Sequence, residues 1–312
     1  TCQNENELFD AQLFEWLGQV KAKVKSGTRA PAQLIDCTNI IAEMRLIKSS
    51  AELDVMRKAN EISSNAHTRA MKVSKVGMFE YQIESEVLHE FAFNGARHPA
   101  YGSIVAGGDN ANILHYTDNN DVLRDNELLL IDAGGELEGY AADITRTFPI
   151  NGQFTPAQKD IYQLVLDAQI AAIEAIKPGA SFAELNDIVH QVFTKGLLAL
   201  GILSGDENTL IEEKACKKYF IHGLGHWLGL DVHDVGDYRI DANKRQNRMF
   251  EPGMVMTIEP GLYIPLDADV EDKYKGIGVR IEDNIVVTET GYENFSLGVV
   301  KTIEEIEALM AG

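Results

Sequence analysis

Apolar residues recur at every third or fourth position over several long stretches, and between these they alternate or run together over a few residues. The pattern predicts helices separated by short strands. Ser49 and Glu52 make a capping-box pair that opens a helix to about Val73, with Leu53, Met56, Ala59, Ile62, Ala66 and Ala70 on its apolar side. A second helix is predicted over about 80–94, with Gly95 at the C′ position. Thr155, Pro156 and Gln158 supply an N-cap, a proline at N1 and a capping-box partner for a third helix, ending near Ile176. Ser181 and Glu184 open a fourth, closed near Gly196 or Leu200. Residues 128–131, the alternating stretch 140–149, residues 254–258 after the Pro252-Gly253 turn, and 278–288 read as strands. Upstream, 10–25 has helical spacing, with Asp10 as N-cap and Leu13, Phe14, Leu17 and Val20 on one side; 32–41 carries mixed signals.

Two of these helix pairs look alike. Lys75-Val76-Gly77 precedes the second helix and Lys177-Pro178-Gly179 the fourth, and strands follow each pair. This suggests an internally duplicated α+β domain, against the alternative of two ordinary helical hairpins. Residues 1–46 are too few to bury a core of their own, so 47–312 is expected to be the main domain and 1–46 an appendage or the remainder of an amino-terminal one.

Composition narrows the function. The chain has 312 residues, with 48 Asp plus Glu against 28 Lys plus Arg, a net charge of -20. Such a field repels phosphate backbones and anionic membranes, so neither nucleic acid nor membrane is an expected partner, whereas a cation-collecting site is compatible with it. No segment approaches the roughly 18 uncharged apolar residues of a membrane span. Cys2, Cys37 and Cys216 are odd in number and far apart, and no charged-then-apolar leader follows Thr1. A reducing cytoplasm is therefore the expected compartment.

The chemistry is carried by acids at strand ends. Asp132 closes the run Leu128-Leu129-Leu130-Ile131, and a carboxylate there needs a partner or a cation. If the chain turns around Leu137-Glu138, positions whose numbers sum to 275 face each other, and Asp132 then lies opposite Asp143. Two like charges in that relation repel unless a divalent cation sits between them. Glu259 ends a second apolar run, and Glu282 lies within a third. The block Ile221 to Asp234 holds His222, His226 and His233 among three glycines, which disfavour a regular helix; an extended chain would put His222, Leu224 and His226 on one face. It is neither a zinc helix of the HExxH type, because Gly223 stands where the Glu belongs, nor a dinucleotide loop. One histidine with four carboxylates selects Mn²⁺, Co²⁺ or Fe²⁺ over Zn²⁺, and four carboxylates need about two divalent ions for neutrality.

Asp132, Asp143, His226, Glu259 and Glu282 resemble, in order and context, the five metal ligands of the pita-bread metallopeptidases. The similarity runs from about Met44 to Leu309. It is strongest to aminopeptidase P in His115-Tyr116-Thr117, Asp143-Ile144-Thr145-Arg146-Thr147-Phe148-Pro149, the His222 to Asp234 block, Thr257-Ile258-Glu259-Pro260-Gly261 and Arg280-Ile281-Glu282-Asp283. The resemblance implies a pita-bread fold, with duplicated helix–strand halves around a curved antiparallel sheet. It also implies two metal ions, Mn²⁺ first, with Co²⁺, Fe²⁺ and Zn²⁺ as alternatives. The implied activity is hydrolysis of the Xaa-Pro bond at a peptide's amino terminus by a metal-bridging hydroxide. Asp132 would bind one ion, Asp143 and Glu282 would bridge, and His226 and Glu259 would complete the other. Glu259 would shuttle the proton and His233 would stabilise the oxyanion. His115, His222, Arg280 and Tyr263 would contact substrate, although Arg280 reads equally as the structural partner of an acid. Prolidase, acting on Xaa-Pro dipeptides, and a metal-free binding protein on the same fold are the rivals. A homo-oligomer, dimer or tetramer, is also implied. Members of this family carry a complete amino-terminal domain, of which 1–46 resembles only the tail and linker.

Overall fold

The computed structural model describes residues 6–240 and 246–312; Thr1 and Cys2, named above, lie outside them. The chain divides into two compact units, Thr1–Arg45 and Leu46–Gly312. In the first, helix α1 (Glu7–Ala22) starts earlier than its apolar spacing suggests. Its cap is Asn6, whose side chain accepts from the Phe9 amide at 3.0 Å, and Asp10 falls instead in the first turn, where its charge complements the helix dipole. No residue of α1 is buried. Helix α2 covers Thr38–Leu46.

The larger unit opens with α3 (Ser50–Val73), which carries both bonds of the Ser49–Glu52 capping box. Met56, Ala59, Ile62, Ala66 and Ala70 are buried as their spacing requires, while Leu53 stays half-buried. Helix α4 (Glu80–Phe93) ends at Asn94, and Gly95 beyond it adopts φ +104°. Next come β1 (His98–Pro99), β2 (Ile104–Gly107), β3 (Leu128–Asp132), β4 (Gly135–Leu137), β5 (Tyr140–Ala141) and β6 (Thr145–Pro149). Helices α5 (Pro156–Glu174) and α6 (Phe182–Ala199) form the second pair, each with a complete capping box. After a short α7 (Glu207–Glu212) the chain adds β7 (Val255–Ile258), β8 (Gly261–Ile264), β9 (Ile277–Arg280), β10 (Asp283–Val287), β11 (Tyr292–Asn294) and α8 (Ile303–Met310).

The duplication is visible in the connectors. Gly77 and Gly179 hold φ of +89° and +86° between their helices, a conformation glycine adopts without a Cβ penalty. Among the described residues all ladders are antiparallel, in the orders β2-β3-β6, β1-β4-β5, β11-β10-β7 and β8-β9. A bridge between Thr145 and Glu282 joins the halves.

Three further expectations are corrected. Gly196 does not close a helix: it lies inside α6, where a Cβ would come within 2.2 Å of Leu164 Cδ1, so its role is close packing of α6 on α5. The stretch 278–288 is two strands, because Glu282 leaves the β8–β9 ladder to donate its amide to the Thr145 carbonyl at 3.0 Å. The first hairpin turns one residue later than expected. Glu138 and Gly139 both take positive φ (51° and 88°), the two-residue turn that suits the twist of paired strands. Paired positions therefore sum to 277, and Asp132 faces Thr145 instead of Asp143.

Candidate active site

Because side chains alternate along a strand, the shifted register still leaves Asp132 and Asp143 on one face, as diagonal neighbours. The hairpin can close this tightly because Gly134 has no side chain: a Cβ there would lie 1.7 Å from the Ala142 carbonyl oxygen. The Tyr101 hydroxyl lies 2.5 Å from Oδ1 of both aspartates and donates its one proton to one of them at a time. Asn284 clasps the Asp143 backbone, accepting its N–H at 2.9 Å and donating to its carbonyl.

The histidine block is extended, as its glycines predict. It runs beside β7, with the Thr257 amide bonded to the His226 carbonyl and the Glu259 amide to the Leu224 carbonyl. Gly225 makes this possible, since a Cβ there would lie 2.0 Å from the Thr257 carbonyl oxygen. His222 and His226 both reach the cavity, but the expected shared face with Leu224 is corrected: the apolar Leu224 side chain is buried in the core instead. His226 Nδ1 donates to the Trp227 carbonyl at 3.0 Å, which turns Nε2 toward Asp143 (3.4 Å) and Glu259 (3.5 Å). Glu282 is oriented by Thr145, whose hydroxyl donates to it at 2.6 Å.

These groups line a cavity of about 530 Å³ that also takes in His115, His233, Arg280, Ile104, Leu114 and Val232. Donor atoms of Asp143, His226 and Glu282 all lie within 4.8 Å of one another. Asp132 is turned differently: its Oδ2 meets Arg280 Nη2 at 2.6 Å. His233 stacks beside His226, ring centres 4.2 Å apart. His115 and His233 are exposed at the mouth. Tyr263 does not line the cavity. It sits behind the wall, where its hydroxyl accepts from Arg280 Nη1 at 2.8 Å and donates to His222 Nε2 at 2.7 Å. That donation fits the neutral ring of His222, pushed down to about 4 by burial and the Arg280 charge.

The electrostatics show the cost of gathering these acids. Burial pushes Glu259 up to about 7 and Asp143 and Glu282 upward, and the neighbouring carboxylates add to the shift. Burial alone would lower His226, but Asp143 and Glu259 override it and lift the ring to about 9. The Arg280 guanidinium offsets only part of the charge of four carboxylates. Oxygen-rich donors with one imidazole, held together at this cost, fit hard or borderline divalent cations. Tyr101, Thr145, Thr257 and Asn284 were not legible in the sequence as site residues. Thr145, Thr257 and Asn284 each carried only a weak signal, lying two positions along the chain from Asp143, Glu259 and Glu282.

A model of metallopeptidase family M24 matches residues 54–289. The chain is 53% identical over 309 residues to the Xaa-Pro aminopeptidase of Escherichia coli K12, covering 99% of this chain and 69% of the relative. It is 53% identical over 279 residues to that of Haemophilus influenzae, covering 89% and 64%. A solved structure of zinc-substituted E. coli aminopeptidase P in complex with product superposes with a TM-score of 0.96 at 50% identity, over 100% of this chain and 70% of that one. The chain thus spans about two thirds of the length of these relatives.

Proposed function

The chain belongs to metallopeptidase family M24 and has the pita-bread fold of aminopeptidase P, and from that premise we infer that it is a metal-dependent aminopeptidase acting on peptides with proline in the second position. The observation that carries this is the meeting of Asp143, His226 and Glu282 donor atoms within 4.8 Å at the floor of a cavity that Asp132 and Glu259 complete. These five residues would hold two divalent cations, Mn²⁺ first. When bound, such ions supply Lewis acidity and an acidified water. Glu259 carries a proton toward the leaving imino nitrogen. His233, beside His226 at the mouth, donates to the carbonyl oxygen as charge develops there. His115, His222 and Arg280 face the substrate, and Tyr263 orients the last two from behind. The catalytic work falls to 47–312, with 1–46 as an appendage from an amino-terminal domain, in a homo-oligomer.

The test is a paired assay of the Mn²⁺-loaded protein on an Xaa-Pro-Xaa tripeptide and an Xaa-Pro dipeptide. Preferential cleavage of the tripeptide is expected. Preferential cleavage of the dipeptide would make the protein a prolidase, and silence on both with metal bound would overturn the enzymatic reading.

A further inference from the structure

Glu80 is the first residue of α4 and is fully buried, yet it has no part in the cavity. A carboxylate in that position must collect donors, and it does so from one segment of chain. Its Oε1 accepts from the Gly107 amide at 2.7 Å and the Asn110 side-chain amide at 2.9 Å. Its Oε2 accepts from the Tyr116 hydroxyl at 2.7 Å and the Asp121 amide at 2.8 Å. Burial and the Glu80 carboxylate push Tyr116 up to about 12, so its hydroxyl stays protonated and remains a donor.

All four donors lie between Gly107 and Asp121. The carboxylate ties the two ends of this loop together and pins it at two points between, Asn110 and Tyr116. The helix contributes in the other direction too: the Glu80 amide donates to the Asp121 carbonyl at 3.0 Å. The loop so held carries Leu114, His115 and Thr117, three residues of the cavity wall. His115 is next in sequence to Tyr116, whose hydroxyl is one of the pinned points. A charged acceptor serving two backbone amides and two side chains makes stronger bonds than a neutral one, and burial denies water as a substitute.

We propose that Glu80 is a positioning residue for the reaction: it fixes the loop 108–121 so that His115 faces the substrate, acting from outside the cavity. The proposal rests on the reading of the cavity as the aminopeptidase site. It commits Glu80 to act through His115 and not merely through stability.

The test is a double-mutant cycle on the Mn²⁺-loaded protein with an Xaa-Pro-Xaa tripeptide, using Glu80→Gln, His115→Ala and the pair. Glu80→Gln keeps the shape and one acceptor oxygen but loses the charge and turns an NH₂ group toward donors. We expect kcat/KM to fall about tenfold in the single variant, and expect the same substitution to have little further effect when His115 is already Ala. Multiplying effects in the pair would overturn the proposal, because a merely structural role does not depend on His115. Hydrogen exchange provides a readout independent of turnover. Glu80→Gln should speed exchange at the Gly107 and Asp121 amides while the amides of α3 keep their protection. Unchanged exchange there would also overturn the proposal. If the wild type cleaves no proline peptide but the exchange result holds, it is the aminopeptidase reading that has failed. Should Glu80→Gln not fold, Tyr116→Phe removes one of the four donors and is expected to give a smaller loss with the same dependence on His115.

Discussion

The two halves of the larger unit bring acids to the same cavity by different routes. In the first half, Asp132 and Asp143 lie 11 positions apart on one hairpin, and a two-residue turn decides how they meet. In the second, His226, Glu259 and Glu282 come from three segments that are placed by the extended histidine block on β7 and by the crossing of Glu282 to Thr145. Both halves rely on a glycine at the seam. Gly134 and Gly225 would each drive a Cβ into a carbonyl oxygen of the partner segment, at 1.7 and 2.0 Å, and neither has positive φ. At these seams the requirement is space and not backbone conformation. Site residues close in sequence thus need only a turn, whereas distant ones need a backbone contact between segments, and the tolerance for error is equally small in both.

The sharpest way to break the comparison is to remove an acid of the second half. Glu259→Ala is expected to lower kcat by on the order of 10³ while the far-ultraviolet circular dichroism stays that of the wild type. Near-normal turnover would take Glu259 out of the mechanism. The seams come next. Gly134→Ala and Gly225→Ala should each cost about 3 kcal/mol or more in urea unfolding, because backbone carbonyls cannot swing aside as side-chain ends can. Gly223→Ala, in the same block but with nothing within 4 Å of its Cβ, should stay within about 0.5 kcal/mol. Equal costs at Gly223 and Gly225 would refute the argument from space. A divalent cation held between the halves would add to both: Mn²⁺ at a hundred times its Kd should stabilise the chelated protein by about 2.7 kcal/mol, read as a rise in Tm. A Tm indifferent to Mn²⁺ would mean that the carboxylates do not need it. The smallest effect tests the symmetry of the duplicated helices. Ser49→Ala at the cap of α3 and Thr155→Ala at the cap of α5 should each cost about 1 kcal/mol. A cost at one and not the other would show that the duplicated caps are not equivalent.

Much of this was legible beforehand for local reasons. The capping boxes of α3, α5 and α6 are contacts between residues three apart, so their spacing in sequence is nearly their geometry. The KxG connectors announced the duplication because glycine at positive φ leaves a mark in composition. The extended course of 222–226 followed from its glycines. Errors arose where a local rule had two solutions. The hairpin could turn at Leu137-Glu138 or at Glu138-Gly139, and only the second gives Gly139 the positive φ that it alone takes without penalty. Gly196 fitted a helix end by spacing, but it serves the packing of Leu164 from another helix, which spacing does not report.

The sequence by itself determined which groups could do chemistry: four acids at the ends of apolar runs or within them, histidines among glycines, and the order in which they occur. Those follow from residue type and short-range periodicity, where the chain's geometry is nearly rigid. Tertiary structure decided the rest. It set Tyr101 between two aspartates, Thr145 on Glu282, Tyr263 behind Arg280 and His222, and Glu80 beneath the loop of His115. Each of these is a hydrogen bond between groups far apart along the chain, and its existence depends on how the segments pack and not on their spacing.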